Sequence, residues 1–312
     1  MHIYEPAKTP TFYFIGVSTG SSSILKVFPK WAEVLGLQAV MKGIDLPLHA
    51  PPDDYRRVAR FLKDDALSLG ALVTTHKLDM FKACRDIFDF IDPFGSKLEE
   101  VSCLSKKDGQ FCAHAKDPIT SGLALEAFVP GNFWKDRGGE VLLLGAGGSS
   151  LAMSMYFAQK KFGGNVPKRI TIANRSEARL VSAKDALRGL NDKIEFRFVH
   201  NPTPDGNDRS IAALPPCSLI VNATGLGKDA PGSPTTDSVC YPRDSLVWEI
   251  NYRGDLLFMR QAQAQQREKN LHVEDGWMYF IHGWTQVIAE VFHIEIDSKT
   301  LEKLSDVARE NR

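Results

Sequence analysis

Val141-Leu142-Leu143-Leu144 runs straight into Gly145-Ala146-Gly147-Gly148-Ser149-Ser150 and then into LAMSMYFAQKK, a helical pattern. A strand that breaks at a glycine turn and feeds a helix presents backbone N–H groups and the positive end of the helix dipole. That is the chemistry that holds a dinucleotide's pyrophosphate, and a Cβ in the turn would block it. The spacing is G-x-G-G-x-x rather than the full G-x-G-x-x-G, so the same residues also suit a strand–helix turn without ligand. The next strand, ITIAN (170–174), ends in Asn174-Arg175-Ser176, with Arg179 one turn later. An NAD-specific site would carry an acid there for the ribose hydroxyls. Two guanidiniums suit a 2′-phosphate and favour NADP over NAD, although an ordinary solvated helix start has the same composition. Val221-Asn222-Ala223-Thr224-Gly225-Leu226-Gly227 puts small residues at the end of a further strand, the edge that faces ligand in an open α/β sheet.

Hydride transfer to a nicotinamide also needs a substrate hydroxyl beside the cofactor and a group that exchanges its proton. Lys77, after the strand GALVTT (70–75), and Asp117, after FCAHAK (111–116), are the candidates. A Lys with a neighbouring carboxylate passes a proton to or from an alcohol oxygen when its surroundings tune its pKa. Each residue has a plainer reading too: a Lys at a helix start is commonly solvated, and Asp before Pro118 is a preferred N-cap.

The elements that must position these groups follow from periodicity. FYFIGV (12–17), AVMKGIDL (39–46) and GALVTT read as buried strands, with a helix between them that opens on Asp53 and Asp54 as N-cap candidates after Pro51-Pro52. A second series runs through VLLLGAGG, ITIAN, FRFVH (196–200), SLIVNATG (218–225) and LVWEI (246–250), again with helices between. Alternation of this kind predicts an α/β protein with parallel sheets built from βαβ units. PTPDGNDRS (202–210) and GKDAPGSPTTDS (227–238) read as surface loops. After Gly276 the pattern is helical to the end and too apolar to be exposed, so those helices are expected to return to the first lobe. Trp277, Tyr279, Phe280 and Trp284 read as packing residues, with Tyr279 also able to reach the site.

The 312 residues are 43% apolar and 24% charged, a folded composition of a length that usually makes two domains. Lys plus Arg number 38 and Asp plus Glu number 38, so no basic excess exists for a nucleic-acid partner. No apolar run approaches the roughly 18 residues that cross a bilayer, and MHIYEPAKTP lacks the basic and apolar regions of a signal peptide; a cytoplasmic protein without a membrane partner is expected. Five cysteines, with no C-x-x-C pair and no His at ligand spacing, exclude a disulfide framework and a zinc site and read as buried reduced thiols.

In these motifs, taken in order over nearly the whole chain, the sequence resembles the shikimate/quinate dehydrogenase family. The family's G-x-P-V-x-H-S-x-S-P resembles the stretch from Gly16 to Ser23, and its V-T-x-P-x-K resembles Val73-Thr74-Thr75-His76-Lys77, one residue shorter. Its N-T-D-G matches Ala115-Lys116-Asp117-Pro118 only at the Asp. G-A-G-G, N-R-S/T and V-N-A-T-x-L-G are similar nearly letter for letter to Gly145–Gly148, Asn174–Ser176 and Val221–Gly227. D-x-x-Y is similar to Glu249-Ile250-Asn251-Tyr252, and G-x-x-M-L-x-x-Q to the stretch from Gly276 to His282.

The resemblance implies an N-terminal α/β substrate-binding domain (1–120) completed by C-terminal helices (276–312), around a Rossmann-type doubly wound NADP-binding domain (121–275). It implies Lys77 as the proton-exchanging residue with Asp117 as partner. Ser21 and Ser23 would bind a substrate carboxylate, although a serine here would equally cap the helix that follows. Ser102 and Tyr252 would line the substrate and nicotinamide site, and His282 would replace a substrate-binding Gln, bringing different donors and a charge accessible near neutral pH. Cofactor contacts fall on Gly145, Ala146, Gly147, Gly148, Ser149, Asn174, Arg175, Ser176, Arg179, Asn222, Thr224, Gly225 and Gly276. No metal is implied, and the family covers monomers and homodimers.

Two substrate-reading Asn residues of the family are replaced, one by Ala71 or Leu72 according to where the gap lies and the other by Ser102; Ile24 replaces a Pro. Losing such donors costs about 1–3 kcal/mol each, enough to move substrate preference by one or two orders of magnitude. The expectation is an NADP-dependent dehydrogenase of the kind used in aromatic amino acid biosynthesis, with an altered substrate shell, acting on a ring hydroxyl of a cyclic polyol acid such as shikimate, quinate or an amino analogue. The alternative is a non-catalytic regulatory protein of the same fold that binds NADP or a metabolite.

Overall fold

The computed structural model describes residues 4–227 and 230–310; Lys228 and Asp229, within the loop expected at 227–238, lie outside the described residues. The chain divides into two compact units. One comprises the residues up to Lys116 together with those from Gly283 onward, and the other runs from Asp117 to His282.

The first unit contains β1 (Thr11–Gly16), α1 (Ile24–Leu35), β2 (Val40–Asp45), α2 (Pro52–Asp64), β3 (Ser68–Val73), α3 (Lys77–Cys84), β4 (Phe90–Ile91), α4 (Pro93–Leu98), β5 (Cys103–Lys107) and β6 (Gln110–His114). Their sheet has the order β2-β1-β3-β5-β6-β4. β1 is parallel to β2 and β3, β5 is antiparallel to β3 and β6, and β4 is parallel to β6. In consequence the ends of β1, β2, β3 and β6 and the start of β5 share one edge. The stretch between β1 and α1, Lys77, Ser102 and Lys116 all follow or precede strands at that edge.

The second unit contains α5 (Asp117–Glu126), α6 (Phe133–Arg137), β7 (Val141–Leu144), α7 (Gly148–Phe157), β8 (Arg169–Asn174), α8 (Glu177–Ala186), β9 (Glu195–His200), α9 (Pro204–Ala212), β10 (Leu219–Asn222), β11 (Leu246–Glu249), α10 (Leu257–Lys269) and β12 (His272–Glu274). All six strands are parallel, in the order β12-β11-β10-β7-β8-β9. Counted from β7 this is the 3-2-1-4-5-6 order of a Rossmann sheet, whose direction reverses between β7 and β10. β7 and β10 are buried at every position, as central parallel strands must be. Helix α11 (Trp277–Phe292) continues through the second division and α12 (Ser298–Arg309) closes the chain.

The last helices do pack on the first unit. Trp284 sets its ring edge-on to Phe14 at 5.0 Å, and Phe292 meets Phe12 at 5.8 Å and Phe28 at 6.3 Å. Trp31 of α1 is fully buried and donates its indole N–H to the Leu304 carbonyl of α12 at 2.8 Å. Among the described residues no helix is long and apolar enough to cross a membrane.

Several local expectations are corrected. The strand at 39–46 is not buried: β2 is an edge strand, and only Ile44 within it is fully covered. Asp53 and Asp54 lie inside the first turn of α2, whose N-cap is Pro51, and Asp54 pairs with Arg57 instead of capping. The expected loop 202–210 folds largely into α9, because Pro204 pre-sets the first helical position and Asp205 pairs with Arg209 one turn on at 2.6 Å. The β5–β6 hairpin was announced by Asp108-Gly109, both at positive φ as a two-residue hairpin turn requires. Of the cysteines, Cys84, Cys103 and Cys112 are buried, Cys217 is half-buried and Cys240 exposed; all five are free thiols.

Leu304 is completely buried on α12. Leu304→Ala is expected to cost about 2–5 kcal/mol in urea unfolding; a loss below about 1 kcal/mol would contradict the docking of α12 on α1.

Candidate functional site

β7 ends at Leu144 and the chain turns at Gly145, which has φ +110. A Cβ there would lie 2.6 Å from the Ala223 carbonyl oxygen, so only glycine lets the turn approach the end of β10. α7 starts at Gly148 behind Gly147, and no side chain caps it, so its first-turn N–H groups are left for a ligand to satisfy. A Cβ on Gly147 would meet nothing within 4 Å. The turn is fastened from behind by Ser150, fully buried, whose hydroxyl donates to the Gly145 carbonyl at 2.6 Å. Sequence reading had singled out its neighbour Ser149, whose hydroxyl lies 3.5 Å from the Tyr279 hydroxyl. Tyr279 therefore does reach the glycine turn.

At the end of β8, Asn174 donates to the Ser176 carbonyl at 3.2 Å and the Ser176 hydroxyl caps α8 through the Arg179 N–H. The Arg175 and Arg179 side chains are exposed, and neither makes an ion pair among the described residues. Glu177 between them meets His200 at 3.1 Å, and His200 also contacts the Arg175 carbonyl at 3.1 Å. The β8 end thus offers two exposed guanidiniums without an ion pair among the described residues.

The loop after β10 is tied to a buried acid. Glu249, fully inaccessible at the end of β11, accepts from the Asn222 amide at 2.6 Å, the Asn251 amide at 2.6 Å and the Asn251 backbone N–H at 3.0 Å. The same two amides reach the Leu226 carbonyl at 3.3 Å and 3.2 Å. Asn222 accepts from the Thr224 N–H at 3.1 Å and its hydroxyl at 2.7 Å. Burial pushes the Glu249 carboxyl up to about 7, against the pull of its three donors. Gly276 belongs to this frame as well: a Cβ there would lie 1.9 Å from the Ile250 carbonyl oxygen, so it is needed for backbone approach. Tyr252 packs with its ring tilted against Phe280 at 4.5 Å and meets Trp277 at 6.1 Å. His282 is buried and its Nδ1 has no hydrogen-bond partner among the described residues. Burial lowers its pKa, partly offset by the Glu126 charge, which works against the charge that the sequence made accessible near neutral pH.

In the first unit, Thr19 donates its N–H and hydroxyl to Asp45 at 2.8 Å and 2.6 Å, fixing the loop between β1 and α1. On that loop the Ser21 hydroxyl is exposed and donates to the Ser18 carbonyl at 2.9 Å, while Ser23 precedes α1 without a side-chain cap. Lys77 is the first residue of α3 and half-buried, with its N–H on the Thr74 carbonyl at 3.2 Å. Asp117 opens α5 in the second unit. Ser102 is buried; its hydroxyl accepts from the Lys116 N–H at 2.7 Å and reaches the His114 carbonyl at 3.4 Å.

Two groups here escaped the sequence reading. Lys116 bonds Glu290 of α11 at 2.5 Å and His114 stands 3.5 Å from the same carboxylate, so the strand leading to Asp117 is clamped by a residue 174 positions away. Burial opposes the Glu290 charge, but the Lys116 hydrogen bond and the His114 charge hold its pKa below the ordinary value. His76, buried beside Lys77, bonds the Tyr55 hydroxyl at 3.0 Å, which also faces Asp79 at 3.5 Å; burial and the Asp79 charge push Tyr55 up to about 12. Position next to Lys77 was its only sequence signal. No cluster of metal-ligating side chains occurs among the described residues.

No protein-family model matches the chain. It is 26% identical over 286 residues to shikimate dehydrogenase (NADP(+)) of Methylobacterium radiotolerans, covering 88% of both chains. The corresponding enzyme of Methylocella silvestris is 24% identical over 287 residues, covering 92% of this chain and 91% of its own. Among solved structures, shikimate 5-dehydrogenase from Thermus thermophilus, in complex with NADP(H) and shikimate, superposes with TM-score 0.71 at 21% identity, covering 97% of this chain and 99% of that one. Quinate dehydrogenase from Corynebacterium glutamicum, in complex with NAD, superposes with TM-score 0.73 at 17% identity, with the same coverage.

The Glu249 carboxyl sits near 7 in the fold against an ordinary 4.5, so the folded state keeps a proton that the unfolded chain has lost between those values. Its contribution to stability is complete below the unfolded value and is lost as pH rises through the folded one, by on the order of 3 kcal/mol. Glu249→Gln cannot titrate, so its melting temperature minus that of the wild type is expected to rise from about pH 5 to about pH 8. A difference independent of pH would contradict this.

Proposed function

We propose that this chain, which its sequence and fold relate to the shikimate/quinate dehydrogenase family, is an NADP-dependent oxidoreductase that interconverts a ring hydroxyl and a ketone on a small cyclic polyol acid. The observation that carries the reading is the end of β7 and β8: an uncapped helix start behind a glycine turn, and two exposed guanidiniums that make no ion pair among the described residues. Gly145 through Ser149 would hold the pyrophosphate and Arg175 and Arg179 the 2′-phosphate, with Asn174, Ser176, Asn222, Thr224, Gly225 and Gly276 shaping the remaining contacts. Once bound, NADP supplies the hydride acceptor or donor.

The chain's own residues then have defined tasks. Lys77 takes the hydroxyl proton in oxidation and returns it in reduction, with Asp117 as the carboxylate that keeps it in the proton-exchanging arrangement. Ser21 and Ser23 donate to the substrate carboxylate. Tyr252, packed against Phe280, presents an apolar wall to the nicotinamide. His282, its Nδ1 unpartnered among the described residues, offers a hydrogen-bonding group to a ring hydroxyl. Ser102 reads the substrate less directly, because its hydroxyl already serves the Lys116 N–H and the His114 carbonyl.

That engagement, together with Ala71 and Leu72 in the neighbouring strand, removes two hydrogen-bonding positions from the substrate shell and points to a ring alcohol other than shikimate itself, such as quinate or an amino analogue. No observation favours the non-catalytic alternative. Five free thiols with no pairing suit the reducing cytoplasm.

The test is reduction of NADP by the purified protein against shikimate, quinate and their amino analogues, followed by nicotinamide absorbance. Turnover is expected with at least one, and Lys77→Ala is expected to lower kcat by about a hundred- to ten-thousand-fold with a small change in KM. Unchanged kcat in Lys77→Ala would remove Lys77 from the chemistry; tight NADP binding without turnover on any ring alcohol would favour the non-catalytic reading.

A further inference from the structure

A cavity of about 190 Å³ opens in the second unit where α5 and α7 end. Each of these helices has ten residues, about 15 Å, so the cavity lies a full helix length from Asp117 at the start of α5 and from the glycine turn at the start of α7. Its walls are Leu125 and Glu126 from the last turn of α5, Trp134 from α6, Tyr156 and Phe157 from the last turn of α7, and Phe162 beyond it. The rings brace one another: Trp134 meets Phe157 edge-on at 5.5 Å, and Tyr156 meets Phe162 at 4.8 Å and Phe157 at 5.4 Å. Gly122 permits this arrangement, because a Cβ there would lie 2.1 Å from the Tyr156 ring.

The one charged side chain among the lining residues is an acid, Glu126. Two helices end at it, and helix C-termini carry partial negative charge. Glu126 adds a carboxylate, which accepts from the Tyr156 hydroxyl at 2.9 Å. The aromatic faces add the negative side of their quadrupoles. The protein already places a cation against this surface: the Lys161 ammonium lies 4.9 Å from the Phe162 ring centroid, 5.6 Å from that of Tyr156 and 3.9 Å from Glu126. Lys161 is 57% exposed and is not among the residues that line the cavity.

We infer that this cavity binds a small organic cation with a flat apolar body, its ammonium group taking the place of Lys161 beside Glu126 and its body lying among the rings. Size is adequate, since a dry cavity of about 150 Å³ takes up benzene. The cavity shares no lining residue with the proposed cofactor and substrate contacts, and the inference does not depend on their assignment.

The probe is 4-fluorobenzylammonium, titrated into the full-length protein and followed by fluorine NMR, with 4-fluorobenzyl alcohol as its neutral counterpart. Saturable binding of the ammonium is expected, weaker by about tenfold for the alcohol. Glu126→Gln, which keeps the acceptor for Tyr156 but removes the charge, is expected to weaken ammonium binding about fivefold, and Lys161→Met to tighten it by removing the internal competitor. Equal affinity for alcohol and ammonium, no effect of Glu126→Gln, or absence of saturable binding in both the wild type and Lys161→Met would overturn the proposal.

Discussion

A single fully buried carboxylate, Glu249, holds together the ligand-facing edge of the second sheet. A parallel sheet presents its chemistry through the loops that leave its strand ends, and such loops are held only if their polar groups are satisfied. Glu249 collects Asn222 and Asn251, these collect the Leu226 carbonyl, and Asn222 also orders Thr224. The carboxylate is costly in that position, which is why its proton affinity rises so far. What the cost secures is a fixed β10 loop against which Gly145 closes, its Cα too near Ala223 to carry a side chain.

The first unit solves the same problem differently. Its sheet is mixed, and a hairpin returns β6 to the edge where β1 and β3 end. Thr19 on Asp45, Ser102 on Lys116 and Lys116 on Glu290 fix the segments on either side of Lys77. Most of these bonds spend side-chain polarity on the backbone or on each other. Loops that satisfy themselves in this way leave fewer side-chain groups free, and the Ser102 hydroxyl, engaged by the Lys116 N–H and the His114 carbonyl, is one instance.

The fold was largely legible because its signals are local. Four apolar residues followed by Gly145-Ala146-Gly147-Gly148 define strand, turn and helix without reference to the rest of the chain, and the order of the βαβ units follows from alternation. Polar composition misled at 204–212, where Pro204 and the Asp205–Arg209 pair make a helix of residues that individually favour loops. Asp108-Gly109 was a readable hairpin sign passed over between two short strands. Partners distant in sequence were not readable at all: Glu290 for Lys116 and Tyr55 for His76 are fixed only by tertiary packing. Burial was equally hidden, which is why His282 was expected near its ordinary protonation and stands below it.

The central claim is that the edge formed by β7, β8 and β10 is built for a dinucleotide bearing a 2′-phosphate. Calorimetric titration of the full-length protein with NADPH and with NADH, repeated on Arg175→Glu, tests it most directly. The account predicts NADPH binding at least about tenfold tighter than NADH in the wild type, with that preference lost in the variant. Equal affinities, tighter NADH binding, or a preference for NADPH unmoved by Arg175→Glu would contradict it.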